Sequence, residues 1–224
     1  MHIGLIVGIG PAATDHYYRG LLRVLGAYGA ELDLTMAHAD TATLLRHQGS
    51  GDTGGQVAIY DRLAHRLRAA GAEAVAITSI AGHFCIEAFK QTSPLPVIDL
   101  LLAVDRAIAA RGLRKVGIIG TRVAMQSRFY GALTTAQVVC PEGQDLDRVH
   151  DAYVAMASAG TVTDAQREVF FGAGRDLVEQ AGAEAVMLGG TDLALAFDGW
   201  DCGFPTFDCA GAHIEAIAEA ARAG

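Results

Sequence analysis

Gly71-Ala72-Glu73-Ala74-Val75-Ala76-Ile77-Thr78-Ser79-Ile80-Ala81 reads as a helix stop, a short apolar strand and a loop of small residues. It recurs as Gly182-Ala183-Glu184-Ala185-Val186-Met187-Leu188-Gly189-Gly190-Thr191-Asp192, an offset of 111. Glycine ends a helix by adopting left-handed backbone that other residues resist, and a short run rich in Val and Ile suits a strand buried on both faces. One match of small residues arises easily by chance. Two others in the same chain order do not: Ile3-Gly4-Leu5-Ile6-Val7 matches Val116-Gly117-Ile118-Ile119-Gly120 at an offset of 113, and Pro96-Val97-Ile98-Asp99 matches Pro205-Thr206-Phe207-Asp208 at 109. The chain is therefore read as an internal repeat of two α/β halves.

Working outward, candidate strands are Ile3 to Val7, Leu32 to Ala37, Ala74 to Thr78, Val97 to Asp99, Lys115 to Ile119, Gln137 to Val139, Ala185 to Leu188 and Thr206 to Phe207. Stretches of helical period separate them, the alternation that builds a parallel sheet covered on both faces. Asp52-Thr53 caps a helix carrying Val57, Leu63 and Leu67 that stops at Gly71. Thr163-Asp164-Ala165-Gln166 has capping-box form and opens a helix through Val169, Phe170, Leu177 and Val178 that stops at Gly182. The expected architecture is α/β: two pseudo-symmetric Rossmann-like halves, residues 1–99 with 208–224 and residues 100–207, each a mainly parallel sheet flanked by helices, with the active site in the cleft between them.

Composition bounds the function. The chain has 224 residues, a net charge of −8 and no block of like charge, which disfavours a phosphate-tracking nucleic-acid surface. No stretch reaches the roughly 18 uninterrupted apolar residues of a membrane helix, and the opening residues lack a basic export signal. Four cysteines, Cys85, Cys140, Cys202 and Cys209, without Cys-x-x-Cys spacing suit reduced thiols. These features predict a cytoplasmic protein with small-molecule partners, no nucleic acid and no membrane.

Ligands of open parallel sheets bind beyond the carboxyl ends of strands, where backbone N–H groups are free. The loops there read Gly8-Ile9-Gly10-Pro11, Ser79-Ile80-Ala81-Gly82-His83, Gly120-Thr121-Arg122 and Gly189-Gly190-Thr191-Asp192. Such glycine, serine and threonine loops suit an anion the size of a carboxylate. Ser79 and Gly190, equivalent in the repeat, are expected to flank one ligand. Gly10, Ile80, Ala81, Thr121 and Thr191 would bind it, the threonines by their hydroxyls unless they are ordinary turn residues. His83 is a general acid or base, or a helix-entry histidine bonded to backbone. Asp192 orients a reacting group, or caps the helix that follows. Cys85 reads as a buried thiol in preference to a nucleophile, and His83-x-Cys85 lacks a companion metal pair. Gly8-x-Gly10-x-x-Ala13 also fits a loose dinucleotide fingerprint with Glu31 or Asp33 as the ribose acid. Those acids open the second strand where the fingerprint wants one closing it, and Pro11 interrupts the turn, so a structural glycine turn is preferred.

On these loops the chain resembles the aspartate/glutamate racemase superfamily, especially its aspartate racemase and broad-specificity amino-acid racemase branch, over nearly its whole length. Gly8-Ile9-Gly10-Pro11-Ala12-Ala13-Thr14 is similar to the family's first-strand turn, and Tyr17-Tyr18-Arg19 continues it. Gly120-Thr121-Arg122-Val123-Ala124-Met125 with Phe129-Tyr130 is similar to a second family segment. The resemblance implies cofactor-free proton transfer at the α-carbon of a small carboxylate, of the racemase, epimerase or isomerase kind, in a homodimer, with two cysteines facing the substrate from opposite sides. Here those positions are Ser79, in the family's Cys-Asn-Thr-x-His, and Gly190, in its Leu-Gly-Cys-Thr-Glu. Ile80 replaces the asparagine, and His38-Ala39-Asp40 stands where many aspartate racemases carry a carboxylate-reading Pro-Asp-Arg. Arg46, Arg122 and His38 are the substitutes to consider. The substitutions exclude a symmetric two-thiol reaction. They leave altered proton transfer by His83, Asp192 or Ser79, a lyase or decarboxylase using one face, or a carboxylate-binding protein without turnover.

Overall fold

The computed structural model describes residues 1–8 and 10–223. The chain divides into two units, Met1–Leu100 with Gly211–Gly224, and Leu101–Ala210.

The first unit runs β1 (Ile3–Val7), α1 (Pro11–Ala27), β2 (Leu34–His38), α2 (Thr41–Ser50), α3 (Thr53–Ala69), β3 (Ala74–Ile77), a 3₁₀ turn (Ala81–Cys85) and α4 (Ile86–Thr92). Helix α5 (Leu100–Ala110) leads into β4 (Lys115–Gly120), α6 (Arg122–Gln126), β5 (Gln137–Val139), α7 (Gly143–Ala159), α8 (Asp164–Glu179), β6 (Ala185–Gly189), a 3₁₀ turn (Thr191–Leu193), α9 (Ala194–Phe197) and β7 (Thr206–Asp208). Helix α10 (Cys209–Ala223) returns to the first unit. The sheets are parallel, with orders β2-β1-β3 and β5-β4-β6-β7. This is the α/β class expected.

The repeat has a hydrogen-bonded basis. Gly71 and Gly182 take φ of +96° and +69° and turn the chain out of α3 and α8. Two residues on, the Glu73 N–H donates to the His2 carbonyl at 2.9 Å, and the Glu184 N–H to the Lys115 carbonyl at 2.8 Å. Each glutamate's carboxylate also accepts a backbone N–H from the adjoining strand's entry: His2 at 2.7 Å for Glu73, Arg114 at 2.6 Å and Lys115 at 3.0 Å for Glu184. The next residues, Ala74-Val75 and Ala185-Val186, enter fully buried strands. Gly4 and Gly117 are glycine because a methyl group there would stand 3.0 Å from Leu67 and Leu177, the last core leucines of the covering helices.

Both predicted caps form. Asp52 accepts from the Gly55 N–H at 2.8 Å, and Thr163 completes its capping box with Gln166, each worth about 1 kcal/mol. The face α3 buries is Gln56, Tyr60, Leu63, Ala64 and Leu67, so Val57 lies at its margin. β3, β4, β6 and β7 end within one residue of expectation, and two strands differ by more. β2 begins at Leu34, which pairs with Ile3, where β1 itself begins, so the residues before it have no strand to pair with. Val97 to Asp99 forms only a bridge between Val75 and Val97, since α5 starts at Leu100. The same bonding continues as strand β7 in the second unit, where Val186 donates to the Pro205 carbonyl as Val75 does to that of Pro96, both at 2.9 Å.

Candidate active site

In the first unit, β1 and β3 pair to Ile6 and Ile77, and Thr78 donates on to the Ile6 carbonyl at 3.1 Å. Register thus brings Gly8, Gly10 and Ser79 to one edge of the sheet. Gly8 has φ +139° and its backbone lies against Ala39, so no side chain fits there. Gly10, φ +81°, is the N-cap residue of α1; Ile9 lies outside the described residues.

Ser79 is buried, and its hydroxyl accepts from the Gly82 N–H at 3.3 Å, a cap on the 3₁₀ turn. Ile80 and Ala81 are buried within that turn. His83 sets Nδ1 2.6 Å from the Ser79 carbonyl. A carbonyl only accepts, so Nδ1 carries the proton and Nε2 a lone pair. Nε2 is buried without a hydrogen-bond partner, and burial pushes the imidazole's pKa down, keeping it neutral. An unpartnered buried acceptor is costly to retain.

Three supports of this turn were not among the candidate site residues. His213, from α10, donates from Nε2 to the Ile98 carbonyl at 2.9 Å and so accepts the Tyr17 hydroxyl at Nδ1, also 2.9 Å. Its ring meets that of His83 edge-on at 6.2 Å, and burial pushes its pKa down to about 3. Asp99 is buried and salt-bridged to Lys90 at 2.7 Å. Tyr60 reaches the Gly82 carbonyl at 3.4 Å and accepts from Gln56 at 2.7 Å, a pair one helical turn apart on α3.

In the second unit, Gly120 and Gly189 pair at the carboxyl ends of β4 and β6, setting Thr121 beside Gly190, Thr191 and Asp192. At Gly120, φ +158°, a methyl group would collide with the Gly189 backbone. Thr121 caps α6, its hydroxyl accepting from the Ala124 N–H at 3.2 Å. Thr191 and Asp192 are buried. The cap position of α9 falls to Leu193, and Asp192 instead accepts the Tyr153 hydroxyl at 3.3 Å. Tyr153, from α7, is the residue the sequence concealed. A methyl group on Gly190 would lie 2.5 Å from its Cζ and 2.8 Å from its phenol oxygen.

Of the remaining candidates, Arg122 binds Asp147 at 2.6 Å and Arg46 reaches Thr43 at 3.3 Å, while His38 ends β2. Cys85 is buried with its thiol pushed up to about 12 by desolvation, which rules out a ready nucleophile. Among the described residues no group of three or more His, Cys, Asp or Glu is placed to hold a metal ion, and no helix is long and apolar enough to cross a membrane.

The Asp/Glu/Hydantoin racemase family model matches residues 6–217, across all of these loops. The chain belongs to that family. It is similar to a Yersinia pestis chain assigned as an Asp/Glu racemase, at 26% identity over 99% of this chain and 100% of that one, TM-score 0.85. It also resembles an aspartate racemase homologue from Pyrococcus horikoshii OT3, at 25% identity over 99% of each, TM-score 0.82. The fold alone is shared with a glutamate racemase from Thermus thermophilus, at 20% identity over 99% of this chain and 80% of that one, TM-score 0.63. Membership of the Asp/Glu/Hydantoin racemase family supports a racemase-type function.

Proposed function

We propose that the chain moves a proton at the α-carbon of a small carboxylate, without a cofactor, using groups other than the family's paired thiols. The observation that carries this reading is the neutral His83, its Nδ1 committed to the Ser79 carbonyl and its buried Nε2 lone pair unpartnered. That nitrogen is the base. The Ser79 hydroxyl already accepts the Gly82 N–H, so it serves as a hydrogen-bond donor to substrate. The α1 N-terminus at Gly10 and the turns holding Ile80, Ala81, Thr121 and Thr191 offer backbone N–H groups and hydroxyls to the carboxylate. Family membership is the ground for reading the protein as a cytoplasmic homodimer.

A lyase or decarboxylase is the second reading. It is favoured by the inequality of the two loops: one has an unpartnered base, the other a glycine covered by a phenol.

The test is α-proton exchange in D2O, followed by NMR, over L- and D-aspartate, L- and D-glutamate, malate and lactate. His83→Asn keeps a donor toward the Ser79 carbonyl and removes the base, and should lower exchange by about 10²- to 10⁴-fold. Exchange at the wild-type rate in that variant, or binding of these acids with no exchange by the wild type, refutes the proposal.

A further inference from the structure

The candidate base lies in a unit that also buries an ion pair. Lys90, on α4, sets Nζ 2.7 Å from Asp99 Oδ2 and 2.8 Å from Glu87 Oε1. The Asp99 side chain is 3% exposed, so water screens its charge poorly. One residue earlier, the Ile98 carbonyl accepts the His213 Nε2–H, and the His213 ring stands edge-on to that of His83. The ion pair and the two imidazoles therefore form one cluster, wholly within Met1–Leu100 and Gly211–Gly224.

Two charges of this cluster act on His83. Burial lowers its pKa most, the Asp99 charge pushes it back up, and the Lys90 charge lowers it again. Lys90 stays cationic: burial works against its charge, but the bonds to Asp99 and Glu87 hold its pKa above the ordinary value. Glu87 itself is exposed, so solvent screens it. Within the turn, the Cys85 thiol keeps its proton with a pKa of about 12. His213 of α10 is neutral with a pKa of about 3. Tyr60 of α3 and Tyr17 of α1 spend their phenols on the Gly82 carbonyl and on His213. From α2, which also packs on the turn, Arg46 reaches Thr43 and His47 reaches Asp52, in exposed bonds.

We infer that Lys90 is a positioning residue for His83: paired with Asp99, it offsets the carboxylate that would otherwise hold a proton on the imidazole, and so keeps the Nε2 lone pair available. The inference rests on the reading of His83 as the base and adds what holds it in basic form. Removing one member of a buried pair strands the charge of the other. An imidazole beside a stranded anion gains protons at higher pH, because its charged form is then favoured. The loss of Lys90 thus acts through the ionisation of His83.

The direct reading needs no substrate. NMR titration of the imidazoles, with the His83 signal assigned by its absence from His83→Asn, gives the protonation of His83 against pH. Lys90→Met should raise its pKa by about one pH unit, and adding Asp99→Asn should abolish the rise. Should Lys90→Met not fold, Lys90→Gln offers Asp99 an uncharged donor and carries the same expectation. An unmoved or lowered pKa in the folded single variant overturns the inference, as does a rise that persists in the double variant. The pH profile of α-proton exchange is the second readout: the acid limb of kcat/KM should move to higher pH by the same interval. A His83 pKa that rises beside an unmoved profile, or beside a wild type without exchange, supports the control by Lys90 and overturns His83 as the base.

Discussion

Consider Gly190→Cys, which puts a side chain at the position equivalent to Ser79 in the internal repeat. Its Cβ would stand 2.5 Å from Tyr153 Cζ and 2.8 Å from the phenol oxygen, against ordinary contacts of 3.4–4 Å. The ring must retreat by about 1 Å, as overpacked cores do at a cost of about 1–3 kcal/mol. Tyr153 is only 5% exposed, and retreat gives up its bond to Asp192, worth about 1.5–3 kcal/mol with a charged acceptor. Relaxation trades one cost against the other, so the net loss is about 2 kcal/mol. Tyr153→Ala alone opens a cavity at about 3–5 kcal/mol, part of which the cysteine refills in the double variant. The cycle should therefore show a favourable coupling of about 1–3 kcal/mol. Urea unfolding followed by fluorescence of Trp200, the chain's one tryptophan and in the same unit, reads all four proteins. A Gly190→Cys protein as stable as wild type, with additive effects in the pair, refutes the reasoning. The same contact predicts that Ser79→Cys with Gly190→Cys will not by itself create two-thiol chemistry.

Stability should fall in mild acid, above the carboxylate range. His213 is held at about 3 by burial and His83 is also lowered, so the unfolded chain binds protons from about pH 6.5 downward while the folded one does not. Stability is then full above pH 6.5 and declines as pH falls toward 3, with His213 alone removing about 1 kcal/mol between pH 7 and 5.5. Urea midpoints at the two values, flattened in His213→Asn, check this; equal midpoints contradict it. Iodoacetamide at pH 8 should label the partly exposed Cys140 and Cys202 and spare Cys85 and Cys209, since burial raises both of the latter thiols. Mass spectrometry gives the order, and early loss of Cys85 refutes it.

The fold was legible where burial leaves a mark on composition. β1, β3, β4 and β6 are sealed on both faces and read as apolar runs, and Gly-Ala-Glu-Ala-Val is conspicuous because glycine turn, carboxylate bond and strand entry demand the same residues twice. β2 is half-buried and edge-lying, so its start was misplaced by two residues. The loops were legible because backbone in the left-handed region selects glycine. Their supports were not: Tyr153 and His213 arrive from α7 and α10 with no spacing rule linking them to Gly190 or His83. Asp192 was undecided between cap and site residue because both uses want a carboxylate after a strand; Leu193 at the helix cap and the Tyr153 bond separate them.

The central claim is proton transfer by this chain's own imidazole. The direct measurement follows α-deuterium uptake by NMR, on one substrate in D2O, for wild type and His83→Asn. The account predicts uptake in the wild type and a loss of about 10²- to 10⁴-fold in His83→Asn. Equal uptake in the two proteins would contradict it.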